Sequence, residues 1–332
     1  MTTKYNNVYL KNTATIAGIY ESNGPIKKYF DKCYTKDLYF GSNSWEKAEI
    51  KLLKETINLL LKKEKIKDKD IDLIISGDLQ NQISASNYAI RDLNIPFLGI
   101  FNACATIAEA IIIASAYLDS SRIKNCIVST VSHNMSAEKQ FRNPTEYGTP
   151  KPDTATFTST GGAAALLTNL KTNIKIDSST IGKIIDKGVK DVNHMGAIMA
   201  PAAADTIYRH LIDLKRKSDY YDLILTGDLG KYGKEILINY LKEVYKIDIS
   251  KNYNDCGTML YDIDKQPVLA GASGPSCSAL TLFSYIYKEM QNKKIKRVLI
   301  VPTGAIFSPT MFFQKESIPA IAHAISLEVI SK

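Results

Sequence analysis

The segment DLIISGDLQ, from Asp72 to Gln80, returns as DLILTGDLG, from Asp222 to Gly230, 150 residues further on. Each is an apolar run closed by Gly-Asp, the pattern of a strand buried on both faces that runs into a loop. RIKNCIVSTVS, from Arg122, is answered by KIKRVLIVPTG, from Lys294, at an offset of 172. TATIAGIY, from Thr13, is answered more loosely by SSTIGKII, from Ser178, at an offset of 165. The three pairs keep the same order along the chain. A sequence of 332 residues that repeats itself in this way reads as a duplication of one α/β unit, and self-similarity constrains a fold more than any single motif does.

The division falls into an N-terminal half, 1–172, and a C-terminal half, 173–332. Each half reads strand, long helix, strand, helix, strand, helix, strand. In the first half these segments are 7–20, 45–64, 71–77, 83–92, 97–102, 104–119 and 124–131. Alternating strands and helices predict right-handed crossovers and mostly parallel sheets covered on both faces. Two such halves are expected to pack about a pseudo-twofold axis. The offset of 172 sets Cys104 opposite Ser276, each just ahead of a core helix, CATIAEAIIIASAYL and SCSALTLFSYIYKEM.

Composition narrows the class. With 45% hydrophobic and 23% charged residues the chain reads as globular. The start, MTTKYNNVYLKN, lacks the apolar core of a signal peptide. The longest apolar stretch, Ala105 to Leu118, is too short to span a bilayer and carries Glu109, so no transmembrane segment is expected. Five cysteines (33, 104, 126, 256 and 277) without a CxxC pair predict reduced thiols in a cytosolic setting. The net charge of +8 comes from lysine runs such as KKEKIKDKD and NKKIKR that flank helices. They read as solvated faces, and no arginine-and-aromatic stripe points to nucleic acid. No P-loop and no EF-hand spacing is present.

Cys104 stands where the strand-like PFLGIF gives way to a helix. There, unpaired N–H groups and the positive end of the helix dipole favour a thiolate and hence a nucleophile. The alternative is a small buried cysteine filling space beside Ala103 and Ala105.

Duplicated α/β halves with a cysteine opening the first central helix resemble the thiolase superfamily. Within it the chain is similar to the stage V sporulation protein AD family. The segments that carry the likeness are SHNMSAEKQFRNPTEYGTPKPDTATFTSTGGAAALL (132–167), NHMGAIMAPAAADTI (193–207), DLILTGDLG (222–230), AGASGPSCSAL (270–280) and PTGAIFSPT (302–310). The resemblance implies a five-layered α-β-α-β-α fold and a binding function without turnover. The implied ligand is dipicolinic acid, taken as its calcium chelate into the developing bacterial spore. The implied partners are other membrane proteins of the same sporulation transport complex. The implied location is peripheral to the spore inner membrane on its cytoplasmic side, and a homodimer formed through the first-half sheet is implied as well. No cofactor is expected, and calcium arrives on the ligand.

Thiolase-like condensation needs a nucleophile, a base and an oxyanion site. The second-half Gly-His motif of such enzymes is missing: LAGASGPSCSAL holds no histidine. Among the four histidines, His133 follows a strand and is expected to face the cavity of Cys104, the one pairing that would support an acyltransferase. His194 lies in a Gly/Asn-containing loop, His210 on an amphipathic helix in a partly exposed structural role, and His323 (AIAHAIS) in or near a C-terminal helix. A pocket for a flat dianion is expected to use Cys104, His133 and His194, hydroxyls of Ser273, Ser276 and Thr303, and charge from Arg142 or Lys151. The repeated Gly-Asp turns at Asp78 and Asp228 read as structural anchors or dimer-interface residues. A scaffold that docks onto a membrane complex without binding a small molecule is the remaining alternative.

Overall fold

The computed structural model describes residues 1–141 and 150–330. In the first half β1 (Tyr9–Ala17) leads through α1 (Trp45–Glu64) to β2 (Leu73–Gly77), α2 (Ser84–Ile90), β3 (Phe97–Gly99), α3 (Thr106–Asp119), β4 (Asn125–Ser132), α4 (Asn134–Phe141) and β5 (Gly161–Thr168). The second half runs β6 (Ile174–Thr180), α5 (Met195–Asp213), β7 (Leu223–Thr226), α6 (Gly230–Tyr245), β8 (Tyr253–Asp255), α7 (Pro275–Thr281), β9 (Arg297–Val301) and β10 (Ala324–Val329). α7 continues through a π-helical turn, Leu282–Ile286, into Tyr287–Gln291.

The principal strands lie in the order β8-β7-β9-β10-β6-β1-β5-β4-β2-β3. Read outward from the middle, both directions are the same. An antiparallel partner (β5 or β10) comes first, then three strands parallel to one another. The halves join where β1 meets β6 antiparallel, Tyr9 opposite Lys175 and Leu10 opposite Ile174. The repeat offsets read from the sequence thus mark equivalent strands, β1 with β6, β2 with β7 and β4 with β9.

Side-chain alternation along these strands separates three cores. Ile127 and Val131 of β4 face outward onto Leu52, Leu53 and Ile57 of α1. Cys126 and Val128 face inward onto Ile107, Ala108 and Ile111 of α3. In the second half Leu299 and Val301 of β9 meet Ala203 and Ile207 of α5, while Val298 and Ile300 turn inward to the cluster holding Cys277 and Leu280 of α7. The layers are therefore α-β-α-β-α, with α3 and α7 in the centre. The middle helices need apolar residues nearly all round, which is why the stretch after Cys104 has no polar stripe.

Two expectations change. AIAHAIS forms no helix: Ala320–Ala322 and β10 are strands, with His323 between them. A short run of Ala and Ile fits either structure, and antiparallel pairing decides it, Ala320–Ala322 with Thr303–Ala305 and β10 with β9 and β6. His210 is fully buried, its ring nitrogens 2.8 Å from Thr180 Oγ1 and 2.7 Å from the Tyr221 hydroxyl. Burial holds it neutral, at about 3.

α5 and α6 pack closely because each presents a glycine at the contact. A Cβ on Gly233 would lie 2.6 Å from Gly196 Cα. Gly233→Ala is expected to destabilise the chain by about 1–3 kcal/mol, the usual cost of overpacking, measurable by urea unfolding.

Glu49 of α1 is buried and accepts hydrogen bonds from Gln80 Nε2 (2.8 Å) and from the Ser136 hydroxyl of α4, while its Oε1 has no partner among the described residues. Burial, then the neighbouring Asp78, pushes its carboxyl up to about 8. The folded chain thus holds a proton that the unfolded chain releases in the ordinary carboxylate range. That stabilisation is complete at low pH and lost as pH rises through about 8. Melting temperature should fall between pH 5 and 8, and Glu49→Gln should flatten part of that slope.

Candidate functional site

Cys104 is placed by a sharp turn. After β3 the chain enters a single 3₁₀ turn, Ala103–Ala105, with Ala103 at φ +46°, a left-handed conformation that alanine adopts only when its surroundings enforce it. Thr106 helps hold the turn, its hydroxyl accepting from the Asn102 N–H (3.1 Å) and donating to the Ala103 carbonyl (2.7 Å). The turn leaves the thiol at the start of α3 and on the wall of a cavity of about 110 Å³ between the two halves. On the water scale, where each molecule needs roughly 10–15 Å³, this is room for several waters or one small ligand.

The wall is largely apolar, with Leu79 and Phe101 from the first half and Met195, Met199 and Phe307 from the second. Its polar groups are Cys104, Thr156, Thr158, Ser273, Glu138 and Asp228. Asp228 is the residue that sequence reasoning misassigned. It is 1% exposed and accepts from Thr303 Oγ1 (2.7 Å), from the Gly274 N–H (3.2 Å) and from the Cys104 thiol. Burial, opposed by these donors, raises its carboxyl to about 7. The thiolate expectation for Cys104 is reversed: burial first, and then Asp228, drive the thiol well above its ordinary value. The helix end favours the anion less than desolvation and an adjacent carboxyl oppose it.

The other expected residues scatter. His133 does not face Cys104. It is buried in the outer layer, its Nε2 2.8 Å from the Leu38 carbonyl, its Nδ1 accepting from the Met135 N–H (3.2 Å), its ring edge-on to Phe40. One residue of strand alternation explains the difference, because Ser132 takes the inward position. Ser276 points away from the cavity lining into a buried serine cluster, 2.6 Å from Ser132 Oγ and 2.7 Å from Ser159 Oγ. Thr303 supports Asp228 and is not itself in the wall. His194 caps α5, its Nδ1 accepting from the Ala197 N–H (3.4 Å), while its neighbours Val192 and Met195 reach the cavity. Ser273 is in the wall. Lys151 pairs with Glu138 at 2.9 Å. Arg142 lies outside the described residues. Asp78 is a turn anchor as read, accepting from the Gln80 and Ser86 N–H groups (2.9 and 2.7 Å).

Two equivalent α/β halves, two helices between their sheets, and a cysteine at the head of one of them define a thiolase-like fold. Solved structures agree. An OleA variant from Xanthomonas campestris superposes with a TM-score of 0.61 over 98% of this chain and 99% of its own, at 12% identity. The same OleA variant bound with cerulenin gives 0.61 at 14% identity over 97% of each chain. The 3-oxoacyl-[acyl-carrier-protein] synthase III of Aquifex aeolicus gives 0.54 at 13% identity, over 99% of this chain and 100% of its own. At these identities the likeness concerns the fold alone. The chain belongs to the stage V sporulation protein AD family, whose family model matches residues 2–328. It is 46% identical over 321 residues to the stage V sporulation protein AD of Bacillus subtilis (strain 168), covering 97% of this chain and 94% of the relative.

A thiol held neutral reacts slowly. Cys104 is expected to be alkylated by iodoacetamide at pH 7.5 more slowly than free cysteine, and Asp228→Asn should speed that reaction at alkaline pH. Peptide mass spectrometry separates Cys104 from the other partly exposed thiol, Cys33.

Proposed function

We propose that the chain binds dipicolinic acid, which chelates calcium, and serves its uptake into the developing spore without catalysing a reaction. The observation that carries this reading is the Cys104–Asp228 contact. The thiol keeps its proton and is hydrogen-bonded to a buried carboxyl, so the nucleophile position lacks the imidazole partner that a thiolase-like reaction uses. The second-half Gly-His motif is absent from the sequence, and His133 is engaged elsewhere. What remains is a small pocket with apolar walls for a flat ring and hydroxyl groups of Thr156, Thr158 and Ser273 for polar edges. Family membership supports dipicolinate as its occupant.

The reading predicts saturable heat when dipicolinate is titrated into the wild-type chain, with or without calcium, and a Cys104→Ala protein that keeps much of the affinity. A melting temperature that rises with ligand would accompany it. Absence of binding in either protein would favour the scaffold alternative.

In the same reading the chain is a homodimer. β3 ends the sheet with an unpaired edge among the described residues, and Leu98, Phe101 and Tyr88 near it are 39%, 52% and 52% exposed. A second copy paired along that edge would cover an otherwise exposed strand. Sedimentation should give a dimer, and Leu98→Lys should shift it toward monomer. Among the described residues no helix is long and apolar enough to cross a membrane. A place on the cytoplasmic side of the spore inner membrane then rests on partner membrane proteins of the sporulation complex.

A further inference from the structure

The cavity is an unusual receptor for a dianion. Among the described residues its wall carries two carboxyl groups, Glu138 and Asp228, and no lysine, arginine or histidine. Glu138 is answered by Lys151 at 2.9 Å. Among the described residues Asp228 has no ion pair or hydrogen bond with a cationic side chain. Its hydrogen-bond partners are the Thr303 hydroxyl, the Gly274 N–H and the Cys104 thiol, all uncharged donors. The charged or titratable groups around it are Asp255 at the end of β8, Cys104 before α3, Cys256 in the helix that follows β8, and Cys277 on α7. None of these is cationic; the described cation in that cluster, Lys234, acts on Asp255 and donates to Asn254 Oδ1 at 2.6 Å.

A ligand carboxylate brought against an ionised Asp228 would meet an uncompensated like charge in a desolvated place. Two carboxyl groups in that situation share a proton instead. We propose that Asp228 is a ligand-contacting residue that holds a proton against one carboxylate of bound dipicolinate, so that binding is coupled to proton uptake. The balance is simple. Ionised Asp228, one proton from solvent and the dianion give a neutral Asp228 whose O–H donates to a ligand carboxylate oxygen, with no other bond made or broken. Where Asp228 is already protonated, no proton is taken up. The carboxyl's position near 7, set by burial, places that change within reach of neutral pH. The proposal rests on the dipicolinate reading and adds to it the acid that selects for a carboxylate.

The test is calorimetric titration of dipicolinate in calcium-free buffer containing EGTA, from pH 6 to 9. The ligand's own carboxyl groups stay ionised across that range. Wild-type affinity should be flat below about 7 and fall by about tenfold per pH unit above it. Asp228→Asn, which keeps a donor but cannot titrate, should bind with a flat profile. Thr303→Val removes one donor to the ionised form, so the midpoint should move to higher pH. This second variant serves if Asp228→Asn fails to fold, which its melting curve reports. A flat wild-type profile, or a slope that survives Asp228→Asn, overturns the proposal. Binding that appears only with calcium overturns it too, because Asp228 would then face the metal. No saturation with or without calcium at any pH sinks the dipicolinate reading itself.

Discussion

The central layer sets the terms for everything else. α3 and α7 are enclosed between two sheets, so each is apolar over most of its surface, and hydroxyls within them, such as those of Thr281 and Ser284, bond back to the helix's own carbonyls. The N-terminal ends are where the strand-to-helix turns deliver Cys104 and Ser276. A cavity between the halves opens at the first of these ends. Burial of the helices thus fixes where chemistry or binding can occur.

Duplication supplied matching positions, and the two halves used them differently. Cys104 faces the cavity, while its counterpart Ser276 closes a buried hydroxyl cluster with Ser132 and Ser159. Asp78 binds the backbone N–H groups of the loop and helix that follow β2. In the second half that task falls to Asp255, which accepts from the N–H groups of Leu229 and Gly230 (3.0 and 2.9 Å). Asp228, relieved of it, turns to Thr303, Gly274 and Cys104. A repeated Gly-Asp therefore became an anchor once and a pocket wall once.

Electrostatics then decide what the pocket can do. A thiol at a helix start has a fractional positive charge behind it, worth at most about 2 kcal/mol in a partly buried place. Desolvation and a carboxyl acceptor outweigh that contribution, and the proton stays on sulfur. The same burial raises the Asp228 carboxyl to about 7. A thiol at a helix start and a buried carboxyl that accepts its hydrogen bond thus meet at one turn.

The sequence by itself determined the duplicated α/β architecture, the order of the first-half elements, the central helices and the prominence of Cys104. These follow from periodicity and repetition, which are local or nearly so. It misjudged His133 because the side of a strand on which a residue emerges turns on one position, and Ser132 takes the inward one. It misjudged AIAHAIS because a short Ala/Ile run takes its structure from its neighbours in the sheet. Asp228 was legible only as a turn, since its contact with Cys104 joins residues 124 positions apart in sequence. Only the tertiary structure, by packing one half against the other, decided which polar groups share the cavity and what their protons do there.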